Sequence, residues 1–144
     1  MNKQDIIDGV DIISGKYDIP TDQITLGGGA ALVMMGVREN TQDLNVWVDS
    51  PYFERLCEHY KVTNHPMRDT MVKLTGPYYV RRRNRYFGHD VSSNGIQIFN
   101  PLSLLIFKRG GYAEHHRPLE KRQQDFKDIV ILNEILAEKN KVVA

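Results

Sequence analysis

Asp43 and Asn45 stand two residues apart. In an extended chain that spacing aims both side chains the same way, about 7 Å apart along the strand. Two oxygen donors so placed can share one metal ion, the asparagine contributing an oxygen without charge. Upstream, Gly27, Gly28 and Gly29 close a short β-prone run and open an apolar one. Glycines at such a junction let a phosphate approach the first backbone N–H groups of a helix, where the helix dipole also favours negative charge. Metal and phosphate chemistry are thus offered within one stretch, Ile24 to Asp49.

The elements that must position these residues follow from the same stretch. Ile24 to Leu26 predicts a short strand ending on the glycines. Ala30 to Val37 is apolar at nearly every position, so the helix predicted there is buried on most sides, and Gly36 near its end permits close packing or a stop. Arg38, Glu39, Asn40 and Thr41 form a polar turn. Beyond it Asp43, Asn45, Trp47 and Asp49 alternate with Leu44, Val46 and Val48, the period of a half-buried strand.

Around this unit, Ile6, Ile7, Val10 and Ile13 recur at helical spacing and predict a first helix ending near Ser14-Gly15, residues 1–15 in all. Ser50 and Pro51 suit the start of a helix on which Phe53, Leu56, Cys57 and Tyr60 share a face, which makes Cys57 a core residue and leaves His59 on the solvated side. Short β-prone pieces around Val62 and Met71 to Leu74 predict two edge-type strands, Tyr78 to Val80 leads into the arginines, and Ile96 to Phe99 predicts a further short strand. Asn100-Pro101 opens a helix, Leu102 to Lys108, expected to stop at Gly110-Gly111. A last helix spans 118–139 with Phe126, Ile129, Val130, Asn133 and Leu136 on its stripe, and the final five residues are expected to fray. Strands that first alternate with helices and then run on consecutively predict an α+β fold, one domain over residues 1–144, with a mixed β-sheet flanked by helices.

Composition narrows the function. The 144 residues are 41% hydrophobic and 26% charged, ordinary values for a globular chain, and the net charge of +1 names no partner. One cysteine excludes an internal disulfide and a thiolate zinc cluster and fits a reducing compartment; with no signal peptide and no membrane span in the pattern, the expected location is the cytoplasm. Charge is instead local. Arg81, Arg82, Arg83 and Arg85 lie among Tyr78, Tyr79 and Tyr86, a composition that can bind single-stranded nucleic acid through phosphate contacts and base stacking, or simply line a solvated hairpin. Glu114, His115 and His116 lack a further ligand at useful spacing.

Gly28-Gly29, Gly36-x-Arg38 and Thr41-x-Asp43-x-Asn45 together resemble the signature of the nucleotidyltransferase-fold superfamily, in particular its small bacterial members of toxin–antitoxin and abortive-infection systems. Asn100-Pro101-Leu102 to Lys108 and Arg122 to Asp128 resemble the ending of such proteins, so the likeness covers most of Ile24 to Leu136. The resemblance implies that Asp43 and Asn45 hold magnesium with a third acid on a neighbouring strand, for which Asp90 is the candidate, and that Gly28 and Gly29 hold the triphosphate of an incoming NTP. It further offers Arg38 and Lys108 to that triphosphate; otherwise Arg38 ties the turn to Asp43 and Lys108 is a surface residue at a helix end. Asn45 stands where the family has its second acid. Two functions follow: magnesium-dependent transfer of a nucleotide onto a protein, RNA or small-molecule hydroxyl, or a catalytically weak relative that binds a nucleotide, a nucleic acid or a partner protein. The four arginines would meet an RNA or protein acceptor.

Overall fold

The computed structural model describes residues 1–60, 62–65, 68–83, 87–113 and 117–143. Among them, helices α1 (Lys3–Tyr17), α2 (Gly28–Met34), α3 (Ser50–His59), α4 (Pro101–Ala113) and α5 (Leu119–Val143) surround strands β1 (Ile24–Leu26), β2 (Leu44–Val48), β3 (Val62–His65), β4 (Arg68–Lys73), β5 (Tyr78–Arg82), β6 (His89–Val91) and β7 (Gln97–Phe99). The strands form one sheet in the order β3-β4-β5-β2-β1-β7-β6. β1 with β7 and β2 with β5 run parallel, and the other neighbours are antiparallel. The fold is therefore α+β with a mixed sheet flanked by helices, as the element order predicts. Among the described residues no helix is long and apolar enough to cross a membrane.

Period-two alternation decides the sheet's two faces. Ile24, Leu26, Leu44, Val46, Val48, Val72 and Val80 are fully buried on one face and form the core. α1 lies over that face: Gly9 sits so close to Leu44 and Tyr78 that a side chain there would collide with the leucine. Arg55 of α3 donates to the carbonyls of Tyr17 (2.6 Å) and Asp18 (3.0 Å), fastening α3 to the end of α1. The opposite face carries Thr25, Asn45, Trp47, Tyr79, Arg81, Gln97 and Phe99.

Several boundaries differ from the sequence reading. α1 runs on to Tyr17 because Asp18, in the left-handed region at φ 56°, closes it with an N–H bond to the Ser14 carbonyl. α4 continues through Gly110-Gly111: a glycine costs a helix only about 1 kcal/mol, less than packing along α5 returns. α5 reaches Val143, beyond the expected end and through residues expected to fray. Its inward stripe is Asp125, Asp128 and Leu132, while Phe126 and Val130 face solvent. Ile129 and Leu136 of the expected stripe do pack, half-buried, against the core; the apolar period misplaces Phe126 and Val130 because the buried positions beside them are ionic. Of the two strands expected at an edge, β3 is at one and β4 is not; β4 lies between β3 and β5.

Gly27 caps α2 in extended conformation, and a Cβ there would enter the Trp47 ring and lie 3.0 Å from Phe99. Two packed aromatic rings have little room to yield, and overpacking of this kind costs about 1–3 kcal/mol. Gly27→Ala is accordingly expected to lower the urea midpoint with an unchanged slope, whereas Gly15→Ala, which meets open space, is expected to leave it in place or raise it.

Candidate functional site

Asn45 and Trp47 project from β2 onto the second face, and Asp43 stands one residue before the strand, in step with them. Register sets their neighbours: Tyr79 lies across from Asn45 on β5, Arg81 lies across from Trp47, and Thr25 faces Trp47 from β1. The Arg81 guanidinium stacks 5.6 Å over the Trp47 ring. Thr25 is fully buried and donates to Gln97 Oε1 at 3.2 Å. Next to Asn45 the face is thus built of amide, hydroxyl, aromatic and guanidinium groups.

Asp90 does not join Asp43 and Asn45. It pairs with Ile98, which pairs with Leu26, which pairs with Val46, so Asp90 is three strands from β2, roughly 14 Å at ~4.8 Å per strand, and on the core-side face. β6 is the sheet's outer strand, and the Asp90 carboxylate, half exposed, lies 3.7 Å from Lys139 of α5. A long-range pairing order placed it there, and nothing local in Tyr86 to Val91 signals that order. Asp90→Ala is expected to change stability by no more than about 0.5 kcal/mol and to leave any nucleotide affinity unchanged, as read by denaturation and by titration.

The donor set beside Asn45 fits magnesium poorly. Asp43 is the carboxylate in step with Asn45, the β5 positions across from Asn45 and Trp47 hold Tyr79 and Arg81, and among the described residues no three His, Cys, Asp or Glu side chains lie close enough to share an ion.

At the glycine turn the reasons for three successive glycines separate. Gly28 has φ +56°, open space before it, and so a backbone that only glycine adopts freely. Gly29 is crowded: a Cβ would strike Thr41 and come within 3.0 Å of Arg38 Nη1. The Arg38 guanidinium therefore lies directly against the turn. It does not tie the turn to Asp43; its partner is Asp128 of α5, 3.6 Å away. Thr41, which donates to the Asp43 carbonyl at 3.2 Å, fixes the entry to β2 beside it.

Asp128 opens a buried ionic row. Lys108 Nζ from α4 lies 2.9 Å from Asp128 Oδ2 and 3.4 Å from Asp125 Oδ1, and Arg117 Nε donates to Asp125 Oδ2 at 2.8 Å. Gln124 donates to the other Asp128 oxygen at 2.9 Å. Both carboxylates are buried, while the Arg38 side chain retains 22% exposure. Lys108 is thereby neither a surface lysine nor a free one. Sequence reading picked out Arg38 and Lys108 but left Asp125, Asp128 and Arg117 without roles. The available signal was a pair of acids three residues apart inside an apolar helix, a spacing that puts both on one face.

The described arginines do not form one patch. Arg81 lies on the second face, Arg82 turns to the core side, 5.1 Å over the Phe53 ring, and Arg83 reaches Gln97 Oε1 (3.4 Å) and His89 Nδ1 (2.6 Å). An arginine has no acceptor, so His89 Nδ1 must accept that bond. Arg85, with His115 and His116, lies outside the described residues.

What fold and site define together is a class: an α+β protein with a glycine turn, a polar sheet face beside it and a buried ionic row that ends at the turn. Compared with known protein families, curated proteins and solved structures, the chain matches none.

Proposed function

We propose that this chain is a nucleotidyltransferase-like protein that holds the phosphates of a nucleoside triphosphate where Gly28 meets Arg38, and that its transfer chemistry is weak or absent. One observation carries the reading. Arg38, Lys108 and Arg117 set three positive charges against the two carboxylates of Asp125 and Asp128, and the row ends on an arginine pressed against a glycine turn. An excess positive charge beside first-turn N–H groups that have no intrahelical partner favours an anion. Weak transfer follows from the donors: Asp43 supplies one carboxylate and Asn45 none.

Magnesium-dependent transfer onto a protein, RNA or small-molecule hydroxyl is the competing reading, and it rests on Asp43 with Asn45 and on the family resemblance. A cytoplasmic setting belongs to both, in keeping with the single free cysteine, Cys57, which is half-buried against the core.

Thermal unfolding with each triphosphate, and with tripolyphosphate, separates the readings. A ligand bound only by the native state stabilises it by about 2.7 kcal/mol at a hundred times its Kd. The expected result is a rise in Tm in the presence of a chelator, reduced in Arg38→Gln. No rise with any triphosphate at millimolar concentration removes the phosphate reading.

A further inference from the structure

We propose that the outer face of the α4–α5 pair docks an acidic amphipathic helix of a partner protein. Leu102, Ile106 and Tyr112 of α4 and Leu119, Phe126 and Val130 of α5 are between 41% and 66% exposed, although each is large and apolar. The α5 residues fall at intervals of seven and four, one stripe opposite the buried Asp125, Asp128 and Leu132. Where the two helices meet, Tyr112, Leu119, Arg122, Gln123, Phe126 and Lys127 line an open groove of about 570 Å³. Its floor is ordered: the Tyr112 and Phe126 rings lie 5.8 Å apart, and Arg122 stacks 5.3 Å over Tyr112 while donating to its carbonyl at 3.0 Å. Tyr112, Leu119 and Phe126 give the groove an apolar lining, the form in which an amphipathic helix is bound.

Charge selects the occupant. Arg122 and Lys127 line the groove itself, and none of the described residues lining it is acidic. Packing this face on the same face of a second copy would bring two positive rims together, an arrangement that like charges oppose. Among the chain's own helices, α1 carries exposed Asp5, Asp8 and Asp11 around one exposed large apolar residue, Ile12, and α3 carries exposed Glu54 and Glu58 with none within its span, too little to fill the groove from another copy. A helix with several large apolar side chains at intervals of three, four and seven and with Glu or Asp between them matches both the stripe and its rim.

The test uses the full chain and two synthetic helical peptides with identical Leu and Phe positions, one with Glu and one with Lys at the polar positions, read by fluorescence anisotropy. The acidic peptide is expected to bind tenfold or more tightly than the basic one, a gap of about 1.4 kcal/mol. Phe126→Glu, at an exposed position that leaves Tm in place, is expected to abolish binding, and Lys127→Glu to weaken it. Equal binding of the two peptides, binding of neither, or indifference to Phe126→Glu overturns the proposal. Light scattering that shows a dimer dissolved by Phe126→Glu also overturns it, because a second copy would then be the occupant.

Discussion

Asp128→Ala is expected to lower the unfolding free energy by roughly 3–5 kcal/mol, because removing one partner from a buried ion pair strands the other. Asp128 is fully buried, and Lys108 Nζ at 2.9 Å and Arg38 at 3.6 Å both turn to it. Lys108 keeps Asp125 at 3.4 Å, and Arg38 has solvent on one side, so the lower end of that range is the expected value. Chemical denaturation measures it. Adding Lys108→Met to Asp128→Ala is expected to return part of the loss, since the stranded cation and not the missing carboxylate is the costly group. If the double variant is less stable by the sum of the two single changes, the row is not an electrostatic unit.

Phe99→Ala is expected to cost about 3–5 kcal/mol, the range for deleting a buried aromatic ring. Phe99 is fully buried at the end of β7 and touches Trp47 (centroids 5.2 Å), Phe107 (5.4 Å) and Phe87 (6.3 Å). Phe107 belongs to α4, one residue before Lys108, so this cluster seats α4 on the sheet and Lys108 on Asp128. Loss of Phe99 is therefore expected to weaken triphosphate binding as well as the fold, whereas Phe53→Ala, a buried ring on the core-side face under Arg82, is expected to weaken the fold alone. Urea denaturation and triphosphate titration of the two variants give the comparison.

The unit from Ile24 to Asp49 was legible because its information is local. Alternation from Asp43 to Asp49 fixes which side chains share a face, and three glycines before an apolar run fix the turn. Asn100 likewise announces α4, and its side-chain oxygen accepts from the Ser103 N–H at 2.9 Å. What was not legible depends on pairing across the chain. Asp90 sits on a segment that looks like any short strand, and only the order β2-β1-β7-β6 shows it to be remote from Asn45. β4 came to lie inside the sheet in the same way, while alternation along β5 puts Arg81 and Arg82 on opposite faces. On α5 the hydrophobic period held for Ile129 and Leu136 and misled for Phe126 and Val130, because two buried acids occupy inward positions. Periodicity detects burial of carbon, not of charge matched by charge.

Isothermal titration of a nucleoside triphosphate into the protein, with a chelator and then across a magnesium series, with labelled-nucleotide incorporation followed in the same samples, tests the central claim most directly. Phosphate binding at Gly28 and Arg38 predicts an affinity that changes little with magnesium, that falls in Arg38→Gln and persists in Asp43→Ala, and incorporation at the blank level. Binding that appears only with magnesium, disappears in Asp43→Ala and is accompanied by incorporation of label would contradict it.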